Sequence, residues 1–175
     1  MLPMKKIAFV FLLALVIAVA SQAHGKKKGK EKYQRMPSGT FVNKTAEGVE
    51  YVLTVPRYDP RSGAPFMLCL HGDGIKSIED NKAVWAAWMN MAASKGFIVC
   101  APKSPGSNWA GQARKLKTLL AELEEKYRLR KRQFVAVGHS SGASIAYERV
   151  LSDTLRFSAF ASMGGRPTVD KEKLK

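Results

Sequence analysis

The sequence predicts one α/β domain at residues 38–175, built on a doubly wound, mostly parallel β-sheet with helices on both faces. From Phe66 onward, short apolar runs alternate with amphipathic stretches, and this alternation is typical of repeated strand–helix–strand units. Each apolar run is continuous, as in strands that are buried on both faces. The 175 residues are enough for one domain with a substantial core and not for two.

An antiparallel strand is predicted before the parallel part of the sheet. Met36 to Tyr58 alternates in polarity in places, as in VEYVLTVPRY, with Tyr51, Leu53 and Val55 on one side, and KTAEGV is predicted to be a turn. PFMLCL, residues 65–70, is the first continuously apolar run, and it ends in His-Gly-Asp-Gly. We therefore expect a buried strand here with a polar loop at its carboxyl end.

The first helix is predicted within SIEDNKAVWAAWMNMAASKG. Ser77 is a suitable N-cap residue at its start, and Gly96 is a suitable stop. Val84, Trp88 and Met91 recur at helical spacing, so we expect these three side chains to form the apolar face of the helix.

Two more helices and three more strands complete the predicted order. The strands are FIVCAP (97–102), QFVAVG (133–138) and FSAFASMGG (157–165), and the helices are QARKLKTLLAELEEKYRL (112–129) and SGASIAYERVLSD (141–153). In the first of these helices the leucines recur at helical spacing and predict a buried stripe. They are Leu116, Leu119, Leu120 and Leu123.

Residues 1–23 are predicted to be a secretory signal peptide. MLPMKK is cationic, Ile7–Ala20 is an uninterrupted apolar run, and the cleavage signal would be Ala18-Val19-Ala20 or Ser21-Gln22-Ala23. The run is shorter than the roughly 20 residues that a membrane span takes, although an uncleaved amino-terminal anchor is the alternative. We therefore expect the protein to be secreted or periplasmic.

A strongly basic segment follows, HGKKKGKEKYQR, in a chain whose net charge is +15. We interpret residues 24–37 as a disordered, solvated spacer. The alternative is weak electrostatic binding to an anionic surface such as phospholipid, lipopolysaccharide or acidic polysaccharide. No nucleic-acid recognition motif accompanies the charge, so we do not expect a nucleic-acid partner.

The two cysteines, Cys69 and Cys100, permit two interpretations. In an oxidising compartment a pair indicates a disulfide. Both cysteines lie in apolar strand-like runs, however, where buried free thiols are common. Neither a metal ion nor a cofactor is expected.

The segment Gly138-His139-Ser140-Ser141-Gly142 fits the pattern G-x-S-x-G. In that pattern a serine on a sharp turn between a strand and a helix is presented as a nucleophile, and the glycines avoid collisions with neighbouring backbone. An apolar strand precedes the segment and a helix follows it, as the motif requires. The alternative is an ordinary strand-to-helix turn. We predict that Ser140 is the nucleophile and that His139 points away from it.

The loop His71-Gly72-Asp73-Gly74 is predicted to contribute to the same site. Acyl transfer needs backbone donors for the developing oxyanion. One is the N–H of Ser141, which follows the nucleophile, and the second is that of Asp73, because His-Gly-x-Gly loops recurrently supply it. His71 is expected to shape the loop rather than to act as general base.

With these motifs the chain resembles the α/β-hydrolase superfamily, and within it the secreted esterases related to polyhydroxybutyrate depolymerases, feruloyl esterases and phospholipase/carboxylesterases. The resemblance covers about Gly48 to Gly165. It implies an esterase with Ser140 as nucleophile, Asp73 and Ser141 as oxyanion donors, and a small-molecule or polymeric ester as substrate. Trp109 would line the acyl pocket or would be a surface aromatic that covers the core.

The chain departs from the superfamily pattern after the serine, where an acid and then a histidine should follow. No histidine follows Ser140, and no later carboxylate stands where the pattern places the acid. TVDKEKLK begins like another helix, capped by Thr168, and the sequence stops there. We therefore expect a fragment that lacks the carboxyl-terminal strands and two triad members and is inactive alone. The alternatives are a non-catalytic binding module on a hydrolase scaffold and a chain that a partner completes. The later carboxylates are Glu148, Asp153, Asp170 and Glu172.

Overall fold

A six-stranded sheet organises the part of the chain that the computed structural model describes, residues 36–106, 108–153 and 156–165. The predicted signal peptide, the spacer up to residue 35 and the helix expected from Thr168 lie outside these residues. The strands are β1 (Gly39–Lys44), β2 (Glu50–Val55), β3 (Ala64–Leu70), β4 (Ile98–Pro102), β5 (Leu129–His139) and β6 (Phe157–Met163). The helices are α1 (Ile78–Ser94), α2 (Ala113–Lys126) and α3 (Ser141–Ser152).

The sheet has the strand order β1-β2-β4-β3-β5-β6. β1 and β2 are antiparallel, and β2 is antiparallel to β4. The remaining strands β4, β3, β5 and β6 pair in parallel, with a helix in each crossover between them. The predicted α/β architecture is therefore confirmed, and the loops after β3, β4 and β5 emerge at the same edge of the sheet.

Helices cover both faces of the sheet and form two core clusters. α1 packs on one face, and α2 and α3 pack on the other. The predicted leucine stripe of α2 is confirmed, because all four of its leucines are buried. The first cluster includes Val52, Met67, Cys69, Trp85, Met89, Val99 and Val137; the second includes Leu53, Phe66, Leu68, Leu119, Leu123, Phe134 and Ala146.

The buried face of α1 differs from the predicted one. Val84 and Met91 are 50% and 51% exposed, and Trp88 is only partly buried at the edge of its cluster. The side chains against the sheet are instead those one position further along the helix. A helix with apolar residues on most of its circumference gives no clear periodicity, so packing decides which face is buried. The buried residues are Ile78, Asn81, Trp85, Met89 and Ala92.

The predicted ends of α1 are confirmed. The Ser77 hydroxyl accepts a hydrogen bond from the Asp80 N–H at 3.0 Å, and the Asp80 carboxylate accepts one from the Ser77 N–H at 3.0 Å. This reciprocal pair is a capping box, and hydrogen bonding to Ser77, chiefly to its side chain and secondly to its backbone, lowers the pKa of Asp80. Gly96 has a φ of +83° just past the helix.

Among the described residues, no helix is both long and apolar enough to cross a membrane.

The two cysteines are free thiols buried on opposite faces of the sheet. Cys100 pairs in register with Leu68 of β3 and belongs to the same cluster as that residue. Cys69, the next residue in β3, points to the opposite cluster because successive strand side chains alternate. The sheet therefore separates the sulfur atoms, and of the two interpretations left open by the sequence the free thiols are correct. Burial raises the pKa of both thiols.

Candidate active site

Ser140 lies in a strained turn between β5 and α3. Its φ is 50° and its ψ is −123°, a combination that costs a residue with a side chain about 1–3 kcal/mol and persists only where neighbours enforce it. Two backbone hydrogen bonds enforce it here. The Ser140 N–H donates to the Met163 carbonyl at 3.0 Å, and the Ser140 carbonyl accepts from the Ala143 N–H at 2.9 Å.

Two glycines allow this turn to approach its neighbours. A Cβ atom at Gly142 would collide with the carbonyl oxygens of Leu70 and His71, at the end of β3. A Cβ at Gly138 would collide with the backbone of Ala143 and would lie 2.5 Å from the Gly142 carbonyl oxygen. Any larger residue at either position would move α3 away from the sheet. The glycines therefore bring the Ser140 turn against the loop that follows β3.

The structure brings Asp73 and Ser141 into direct contact. The Ser141 hydroxyl donates to the Asp73 carboxylate at 2.7 Å. Gly72 lies next to the serine, since a Cβ there would be 2.9 Å from the Ser140 Cβ. As the first residue of α3, Ser141 has a backbone N–H without an intrahelical acceptor, at the positive end of the helix dipole. An anionic oxygen near Ser140 would be stabilised there.

His71 is a fully buried histidine that joins two loops. Its Nε2 atom accepts a hydrogen bond from the Ser104 N–H at 2.9 Å. The neutral ring therefore holds its proton on Nδ1, which donates to the Gly72 carbonyl at 2.6 Å. Burial lowers the pKa of His71, and the positive charge of Lys103 acts in the same direction. Because both ring nitrogens are occupied, His71 is not placed to take a proton from Ser140.

Trp109 is a core residue. It is 1% exposed, its indole N–H donates to the His71 carbonyl at 2.7 Å, and its ring centroid lies 4.9 Å from that of His71. Of the two roles expected from the sequence, the surface aromatic is wrong because the ring is buried, and the lining of an acyl pocket stays a prediction. A buried indole N–H needs an acceptor, and the loop carbonyl provides one. Trp109 therefore supports the His71–Gly74 loop by packing against His71 and by this hydrogen bond.

Among the described residues, no histidine forms a hydrogen bond with the Ser140 hydroxyl. His139 is exposed at the end of β5, with its Nδ1 beside Gly72. Glu148 is exposed on α3, and Asp153 forms an ion pair with Arg156. Asp170 and Glu172 lie outside the described residues. Within those residues, no group of three or more potential metal ligands occurs.

No protein-family model matches the sequence, and no curated protein matches it. Solved structures do match the fold. A thermostable esterase is 21% identical with a TM-score of 0.59, over 78% of this chain and 43% of its own. An acetyl xylan esterase from Aspergillus awamori is 16% identical with a TM-score of 0.60, over 74% and 53%. An S-formylglutathione hydrolase from Staphylococcus aureus is 15% identical with a TM-score of 0.56, over 72% and 58%.

These likenesses show the fold. The chain has the α/β-hydrolase fold, as the motifs around Ser140 predicted. It spans about half the length of the structures that it matches, from 43% to 58% for the three named.

Proposed function

We propose that this chain belongs to a serine hydrolase that cleaves carboxylic esters through an acyl-enzyme on Ser140. The observation that supports this most directly is the strained backbone of Ser140, at the amino end of α3 and beside the loop of Asp73. Backbone strain of this kind concentrates at functional sites. The names of the similar structures, which include a thermostable esterase, an acetyl xylan esterase and a ferulic acid esterase, support an ester as substrate.

In the proposed reaction the Ser140 oxygen attacks the ester carbonyl carbon, and the carbonyl electrons move to its oxygen. The backbone N–H groups of Asp73 and Ser141 stabilise that oxyanion by hydrogen bonds. As it collapses, the ester C–O bond breaks, and the serine proton, held by a general base, passes to the leaving alcohol. Water then attacks the acyl-enzyme, releases the acid and returns a proton to Ser140.

We propose that the general base is not among the described residues. A serine hydroxyl is a weak nucleophile near neutral pH and needs an adjacent base. The ring nitrogens of His71 are both hydrogen-bonded, and among the described residues His139 forms no hydrogen bond with the Ser140 hydroxyl. The 175-residue chain alone should therefore hydrolyse esters negligibly.

The test compares p-nitrophenyl ester hydrolysis by the 175-residue chain and by the protein as its gene encodes it, each with and without Ser140→Ala. The encoded protein should be active and should lose about 10³-fold or more in kcat on substitution, because loss of the nucleophile leaves only binding and oxyanion stabilisation. Ser94→Ala, which removes an exposed hydroxyl on α1, should leave activity unchanged.

Full activity of the Ser140→Ala variant would overturn the proposal. Turnover by the 175-residue chain that depends on Ser140 would show that a base lies within it, with His139 and His71 the first to substitute. An encoded protein that binds esters without hydrolysing them, or that needs a second protein for turnover, would favour the binding module or the chain completed by a partner.

A further inference from the structure

The two residues expected to stabilise the oxyanion are joined by their side chains as well. The Ser141 hydroxyl donates to the Asp73 carboxylate at 2.7 Å, across a separation of 68 residues in sequence. We propose that this Asp73–Ser141 clasp is a positioning contact that sets the distance between the two backbone donors. The inference rests on the proposed function, since it concerns the same site.

One of the two donors is held firmly without the clasp. Ser141 begins α3, and α3 is held by the close approach of Gly142 to the end of β3 and by the hydrogen bond from the Ser140 N–H to Met163. The amino end of α3 therefore has a fixed position relative to the sheet. Its N–H at Ser141 needs no further support.

The other donor, the Asp73 N–H, shares a planar peptide group with the Gly72 carbonyl, which accepts a hydrogen bond from His71 at 2.6 Å. The loop beyond this peptide group is fixed only at its far end. His71 is held by Ser104 at one end, and the capping box of Ser77 and Asp80 holds the other. Between these points, Asp73, Gly74 and Lys76 are exposed, and a Cβ at Gly74 would meet no atom within 4 Å. Among the described residues, the bond to Ser141 is the side-chain hydrogen bond that ties this middle part of the loop to the rest of the site.

The clasp also determines where the Asp73 carboxylate lies. A carboxylate released at the amino end of α3 would itself be a favourable ligand for the free N–H groups there. Because the carboxylate accepts a hydrogen bond from the Ser141 hydroxyl, it does not occupy the backbone N–H groups of Asp73 and Ser141. These donors remain open for a substrate carbonyl. Both effects act on the transition state more than on the bound ester, because the oxyanion forms only during the reaction.

The experiment measures kcat and KM for a p-nitrophenyl ester in the protein as its gene encodes it, with variants Asp73→Ala, Ser141→Ala, the double variant and Asp73→Asn. Asp73→Ala and Ser141→Ala should each lower kcat by about 10-fold to 100-fold, since a displaced donor stabilises the oxyanion poorly, with KM changed by less than about 3-fold. The double variant should be no worse than the poorer single variant, because the two residues act through one contact. Asp73→Asn, whose side-chain oxygen still accepts from Ser141, should retain kcat within about 3-fold.

Glu79→Ala is the matched control, because it removes an exposed carboxylate from the first turn of α1 and should not alter kcat. Additive losses in the double variant would overturn the clasp, as would a loss in Asp73→Asn equal to that in Asp73→Ala. Unchanged kcat in both alanine variants, with Ser140→Ala inactive, would refute the clasp and leave the proposed function standing. Activity in Ser140→Ala would refute the proposed function instead. If Asp73→Ala does not fold, Ser141→Ala and Asp73→Asn still decide the outcome.

Discussion

His71 shows at the residue scale how a titratable side chain serves as a structural one. The ring is completely buried. Its Nε2 accepts a hydrogen bond from the Ser104 N–H, and its Nδ1 donates one to the Gly72 carbonyl. Its own carbonyl accepts the indole N–H of Trp109. Two backbone groups near the site, the Ser104 N–H and the Gly72 carbonyl, therefore depend on one neutral imidazole. A protonated ring would lose its acceptor atom and would place a charge in the core.

This arrangement predicts that the protein loses stability as pH falls below about 6.5. The pKa of His71 is lowered by burial, so below the pKa of the unfolded chain the unfolded state binds the proton and the folded state does not. Stability then falls with decreasing pH, by at most about 1.4 kcal/mol per pH unit for one group, until the folded pKa is reached. His71→Gln should be less stable at neutral pH and should lack this slope. Urea unfolding at several pH values between about 5 and 7.5 measures it, and parallel pH profiles for the two proteins would contradict it.

At the scale of the element, α1 is the helix whose orientation depends on packing. Its alternative faces have similar apolar content, and the sheet selects the one that includes Trp85 and Met89. Asn81 lies on this buried face because its side-chain amide donates to the Ala101 carbonyl at 2.9 Å. A polar residue is accommodated there because it bonds to the end of a strand.

The orientation of α1 predicts different costs for two methionines of the same helix. Met89→Ala should destabilise the protein by about 2–5 kcal/mol, because it leaves a cavity between the helix and the sheet. Met91→Ala should change the free energy of unfolding by less than about 0.5 kcal/mol, because Met91 is half exposed. Denaturant unfolding of the two variants provides the comparison, and each is the other's control. Equal losses of stability in the two variants, or a larger loss for Met91→Ala, would contradict this orientation of α1 and favour the face expected from the sequence.

At the scale of the whole molecule, the sheet gathers the site at one edge. The candidate nucleophile, the loop of Asp73 and the supporting loop of Ser104 follow β5, β3 and β4, which are parallel neighbours. In open parallel sheets, ligand sites form outside the carboxyl ends of the strands. This common edge is why residues far apart in sequence can form one site.

We also propose export of the protein, on the basis of the cationic start and the apolar run of Ile7–Ala20. Amino-terminal sequencing of the mature protein should begin at Ser21 or His24, and the protein should be found outside the cytoplasm. We propose that the basic segment of residues 24–37 is a solvated spacer, and salt-sensitive binding of the mature protein to anionic vesicles would favour the alternative, weak electrostatic attachment. A mature protein that begins at Met1 would contradict the export proposal.

The sequence by itself determined the order of the elements from β3 onward, the parallel part of the sheet, the limits of α1, the leucine stripe of α2 and the context of Ser140. These features follow from patterns within a few residues, such as apolar runs, caps and glycine spacing, so neighbouring residues are sufficient to specify them. The strained backbone of Ser140 also depends on tertiary structure, because its N–H donates a hydrogen bond to the Met163 carbonyl of β6.

Only the tertiary structure decided the buried face of α1, the burial of Trp109, the separation of Cys69 from Cys100 and the contact between Asp73 and Ser141. Each of these depends on which surfaces meet across the sheet or between loops. Cys69 and Cys100 are 31 positions apart in sequence, and Asp73 and Ser141 are 68 positions apart, so neither relation leaves a local sequence pattern. Their positions are set by the packing of the helices on the sheet and by the close approach that Gly138 and Gly142 allow.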